Sequence, residues 1–151
     1  MDRCAGEEVR KGFVAELRSR GWDVFEREGF LKRRDQVVYL VQKGDVSGVM
    51  FIKVLKDNGD LWDLNARLFD SFQQLAASDE NSELFVVLLE SSGAGYLLKG
   101  DEFEALKPSL RVDEDGEFKI HRNGLDCIFQ GNRFVSPDDF FERLGSGAGA
   151  V

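Results

Sequence analysis

Residues 84–89 read LFVVLL, an unbroken apolar run of strand length. A strand with no polar face has to be covered on both sides, which is the usual situation of a strand lying parallel to a neighbour inside an α/β domain. The run therefore predicts a mixed central sheet with flanking helices, in which 84–89 is the central strand. Upstream, Leu61, Leu64, Leu68, Phe72 and Leu75 fall on one helical stripe, widened by Trp62, Phe69 and Ala76, and predict a long second helix reaching about Ala77. Leu64, Leu68, Phe72, Phe85 and Val87 are expected in one core.

Further upstream, WDVFERE, DQVVYLVQK and GVMFIKVLK are rich in β-branched and aromatic residues and are separated by Glu28-Gly29 and by the GDVSG turn. They predict three strands in an antiparallel meander. An amphipathic helix from about Glu7 to Arg20 precedes them, with Val9, Phe13, Val14 and Leu17 on its apolar side and Gly21 at its end. Downstream of the central strand, a short strand is expected at Tyr96 to Lys99. A small helix from about Glu102 to Leu106 follows, capped by Asp101. Phe118 and Ile120, the Asn123-Gly124 turn and Leu125 to Gln130 predict a C-terminal β-hairpin. Ser136, Pro137, Asp138 and Asp139 then open a last helix whose apolar face is Phe140, Phe141 and Leu144. Residues 1–144 read as a single α/β domain, and the GSGAGAV stretch at 145–151 reads as a flexible tail.

The chain has 151 residues, of which 42% are hydrophobic and only 2 are proline, a composition that excludes a wholly disordered or collagen-like chain. Lys and Arg number 20 against 28 Asp and Glu, a formal charge of -8. The field of such a chain opposes a phosphate backbone unless cations gather on one face. Lys32, Arg33 and Arg34 form the only run of three consecutive basic residues. It reads first as a solvated turn and, if nucleic acid is bound, as the edge that binds it. Cys4 and Cys127 stand far apart with no metal-ligand spacing, and His121 lies in an alternating strand opposite Phe118 and Ile120. No dinucleotide, P-loop, serine-hydrolase or zinc-protease motif occurs. No run is long enough to span a bilayer, so a cytoplasmic location without membrane partners is expected.

The order of helix, three-stranded meander, long helix and buried strand resembles the restriction-endonuclease-like superfamily, the PD-(D/E)XK nucleases and relatives such as archaeal Holliday-junction resolvases. The similarity covers roughly residues 6–122 and rests on GEEVRKGFVAELRSRGWDVF, on Asp35 beginning a hydrophobic strand, and on GVMFIKVLK as the family's third strand. The resemblance implies a magnesium site made of carboxylates with a lysine beside the attacking water. Asp35 would be the first carboxylate and the tentative metal ligand. The family's next acid and its lysine sit two residues apart on the third strand, so that alternation points both to one face. Here the strand reads Phe51-Ile52-Lys53-Val54-Leu55-Lys56 and contains no acid. Taking Lys53 as the lysine puts Phe51 at the acid position, and taking Lys53 as the acid puts Leu55 at the lysine position. A migrated acid would give a catalytic set of Asp35, Glu8 and Lys53. Asp57 and the helix residues Gln73 or Gln74 are further substitutes. Otherwise Lys53 is a strand cation whose head reaches solvent.

Three functions follow. The first is a nuclease-like domain without catalysis, serving as a nucleic-acid-associated or accessory binding module with no cofactor. The second is a divergent magnesium-dependent DNA endonuclease or junction resolvase. The third is an acidic inhibitor or immunity-type protein that meets a basic protein partner. Aromatic residues expected at the surface, such as Phe30, Phe103 and Phe134, leave room for a homodimer.

Overall fold

The computed structural model of the chain describes residues 2–26, 36–44, 46–55, 61–65, 74, 82–106, 108, 116–121 and 132–149. The elements run α1 (Asp2–Ser19), β1 (Asp23–Glu26), β2 (Gln36–Lys43), β3 (Val46–Val54), β4 (Leu61–Asn65), β5 (Ser82–Ser91), β6 (Ala94–Lys99), α2 (Gly100–Leu106), β7 (Glu117–His121), β8 (Arg133–Phe134) and α3 (Pro137–Gly149). Six strands form one mixed sheet in the order β1-β2-β3-β5-β6-β8, and β4 pairs with β7 in a second, two-stranded sheet. The domain is α/β, as the apolar run at 84–89 requires. Strands β1, β2 and β3 make the expected antiparallel meander, β5 lies parallel to β3, and β6 returns antiparallel to β5.

Alternation along β3 divides the core. Met50, Ile52 and Val54 join Phe13, Val14 and Leu17 of α1, Phe140 and Leu144 of α3, and Phe85, Val87 and Leu89 of β5 in one buried cluster. Val49, Phe51 and Lys53 are just as buried and take the opposite face. The strand β5 is apolar on both faces because both are covered.

Helix α1 stops where the sequence says it should. Gly21 adopts a φ of 90°, the amide of Gly21 donates to the Arg18 carbonyl, and the amide of Trp22 donates to that of Leu17. These bonds close a Schellman motif that a residue with a Cβ would strain. At α3, the Ser136 hydroxyl accepts from the Asp139 amide while the Asp139 carboxylate accepts from the Val135 amide, a reciprocal cap. Arg20 ties the two helices together. Its guanidinium donates to Asp138 of α3 and to Glu16 of α1, and stacks over Phe141 with its carbon 4.5 Å from the ring centroid. The hydrogen bond to Asp138 is the main cause of a raised Arg20 pKa, set against partial desolvation and reinforced by Glu16.

Two expectations are corrected. Leu61 to Asn65 are not the first turns of a helix but the strand β4, paired in register with β7, so that Trp62 faces Ile120 across the ladder. The apolar spacing of Leu61 and Leu64 fits a helical stripe, yet Trp62 and Leu64 also alternate, and a distant strand partner decides between the two. Phe118 to His121 form a strand as expected and pair with β4. Asn123-Gly124 and 125–130 lie outside the described residues, as do Leu68 and Phe72 of the expected core. Gln74 is helical and exposed. Helix α3 continues beyond Leu144 through Gly149, into the stretch expected to be a tail.

Gly48 of β3 tests this packing, because a Cβ there would lie 2.6 Å from both the Glu83 carbonyl oxygen and the Phe85 ring. Gly48→Ala is expected to cost about 1–3 kcal/mol through overpacking. Thermal denaturation should show the midpoint falling by several degrees, and an unchanged midpoint would be inconsistent with the β3–β5 register.

Candidate functional site

The pairing of β3 places Lys53 in a transverse row. Across the register it stands between Gln36 of β2 and Leu88 of β5, and the row continues through Tyr96 of β6 to Arg133 of β8. Lys53 is only 1% exposed and Tyr96 is fully buried. A strand cation with its head in water is therefore the wrong description of Lys53. The lysine is enclosed because its neighbours on that face, Phe51, Val86 and Leu88, are all buried beneath a covering layer.

That layer brings Trp62 from the second sheet. Its indole nitrogen donates to the Leu89 carbonyl at 3.3 Å, and the amide of Leu55 donates to the same oxygen at 2.8 Å. The Trp62 ring meets Tyr96 edge-on with centroids 5.9 Å apart. Beyond Tyr96, the Arg133 guanidinium lies 5.9 Å from the Tyr96 ring and 3.6 Å from the Glu90 carboxylate. In open α/β sheets, ligands gather at the carboxyl ends of the parallel strands. In this chain Trp62 packs against Leu89 near the carboxyl end of β5.

Glu8 and Lys53 are not brought together. Glu8 is exposed on α1, which packs on the face of β3 that carries Ile52 and Val54, whereas Lys53 occupies the other face. Asp35, Asp57, Gln73 and the basic run Lys32, Arg33 and Arg34 lie outside the described residues. Over residues 49–54 of β3 both faces are described. Toward α1 the strand presents Met50, Ile52 and Val54, and away from it Val49, Phe51 and Lys53. Neither set contains a carboxylate, and among the described residues no three His, Cys, Asp or Glu side chains group to hold a metal ion. These residues do not fit magnesium, since a hard dication needs oxygen ligands.

The loop after the central strand is equally constrained. Ser92 and Gly93 form a tight turn between β5 and β6, where a Cβ on Gly12 of α1 would come 3.2 Å from the Ser92 Cβ and one on Gly93 would come 3.2 Å from Pro137. The turn is wedged between two helices. Sequence reasoning missed the Tyr96, Arg133 and Glu90 group, because these residues stand next to one another only through strand pairing. Trp62 was visible as a large apolar residue, but a helical reading assigned it to the wrong element.

Compared with known proteins, the chain matches no family model and no curated protein.

Because the Lys53 stem fills space in a buried layer, Lys53→Ala is expected to destabilise the fold by about 2–4 kcal/mol, as other large-to-small changes in cores do. Urea unfolding measures this directly. A loss within about 0.5 kcal/mol, the range of surface substitutions, would return Lys53 to the surface.

Proposed function

We propose that this chain is a restriction-endonuclease-like domain that does not cut, kept as a nucleic-acid-associated or accessory binding module. Its order of elements supports the reading: a helix, an antiparallel meander, a strand parallel to the third, and an antiparallel sixth strand, with α1 on one face. The observation that carries the non-catalytic half is the state of β3. Where the superfamily resemblance calls for an acid and a lysine on one face, the face toward α1 holds Ile52 and Val54, and the one lysine of the strand is buried on the other side beside Phe51.

Phosphodiester hydrolysis by such nucleases depends on metal-held water and on charge stabilisation at the leaving oxygen. A strand offering only apolar groups and an enclosed ammonium supplies neither. Linear and branched DNA incubated with the protein and magnesium or manganese should therefore remain intact. Robust cleavage that disappears in both Asp35→Ala and Lys53→Ala would overturn the reading in favour of a divergent endonuclease or resolvase.

Binding is tested separately. The formal charge of -8 limits nucleic-acid affinity to what a local cation cluster provides. Retention on DNA at low salt should be weak, salt-sensitive and abolished when Lys32, Arg33 and Arg34 are all replaced by Ala, with little change in stability. Binding that survives ~0.5 M salt would contradict an electrostatic mode. A protein that ignores DNA but captures a basic protein would move the acidic-inhibitor function to first place.

A further inference from the structure

Strand β1 ends the six-stranded sheet, and among the described residues no strand lies beyond it. An open edge presents unpaired amides and carbonyls to any other extended chain. Which groups of β1 face outward follows from the register. Lys43 and Val46 close the β2–β3 hairpin across two residues, so they form a hydrogen-bonded pair. Because hydrogen-bonded and non-bonded pairs alternate, Gln42 and Leu40 of β2 turn their backbone groups toward β1, where they meet Asp23 and Phe25. The backbone groups of Val24 and Glu26 therefore point away from the sheet.

Two further observations fall on this edge. The Phe25 side chain is 60% exposed, beside a sheet whose central strands are buried. The outward carbonyl of Val24 is already taken, since a terminal guanidinium nitrogen of Arg18 donates to it at 2.9 Å from the end of α1.

We propose that the β1 edge is a pairing surface for a second copy of this chain, and that Arg18 holds it closed. The edge is self-complementary in one register. An antiparallel pair centred on Phe25 sets Phe25 against its own copy at the two-fold axis and puts Val24 opposite Glu26 on both sides. The outward groups of both residues then meet, giving four backbone hydrogen bonds around a cross-strand aromatic pair. Arg18 occupies one of the needed carbonyls in each copy, so two of the four bonds require both guanidinium groups to leave. A charged side chain laid on an edge is a known means of preventing strand addition. This inference stands independently of any nucleic-acid or nuclease reading.

The test uses the full chain in sedimentation experiments at moderate salt, which screens repulsion between two acidic copies. Arg18→Met keeps the stem of the side chain and removes the donors. The wild type should sediment as a monomer, Arg18→Met should show a concentration-dependent shift toward twice the mass, and Arg18→Lys, which retains a donor, should remain monomeric. Adding Phe25→Lys to Arg18→Met should restore the monomer, and circular dichroism should confirm that every variant is folded. A folded Arg18→Met that stays monomeric at all concentrations would overturn the proposal. So would a dimer that persists when Phe25→Lys is added, or a wild type that is already paired through this edge.

Discussion

The parallel pairing of β3 with β5 is the constraint on which the rest of the structure depends. Eight successive partners, from Ser47 with Ser82 to Val54 with Leu89, hold two strands that are buried over most of their length. A parallel pair needs a long crossover and cover on both faces. Helices α1 and α3 supply one layer through Phe13, Leu17, Phe140 and Leu144, while the opposite face is closed in part by Trp62 of the second sheet. Close approach to β5, of β3 on one side and β6 on the other, also explains Gly48 and Gly95, where a Cβ would collide with the backbone of β5.

The same constraint leaves residues 49–54 of β3 without a carboxylate. Covering both faces of β3 makes residues 48–54 interior positions, and interior positions select apolar groups unless polar ones are paired. Lys53 survives there as an enclosed residue in a row with Leu88, Tyr96 and Arg133. The Trp62 indole bonds to Leu89 near the carboxyl end of the parallel pair, the end at which open sheets bind ligands. Packing and chemistry compete for the same few positions, and in this strand packing holds them.

Local signals were legible in the sequence wherever the physics is local. The Gly21 stop, the Ser136 cap with Pro137 behind it, the meander and the two-sided burial of LFVVLL all follow from short-range spacing and appear as expected. The strand β4 was misread because its pairing with β7 joins residues more than fifty positions apart. Leu61 and Leu64 satisfy a helical period until Ile120 and Phe118 are placed beside Trp62 and Leu64. The candidate site was only half legible. The missing acid of β3 is visible as text, but the face that Lys53 occupies, and its separation from Glu8, depend on the register and on where α1 packs.

The central proposal is that the buried end of β3 serves packing rather than metal binding. Paramagnetic broadening by manganese tests it most directly, with methyl signals of Ile52, Val54, Leu88 and Leu89 followed as the ion is added to the folded protein. The account predicts that these signals stay sharp at concentrations that saturate an ordinary carboxylate metal site. Selective broadening centred on Ile52 and Val54 would place a bound ion beside β3 and contradict it.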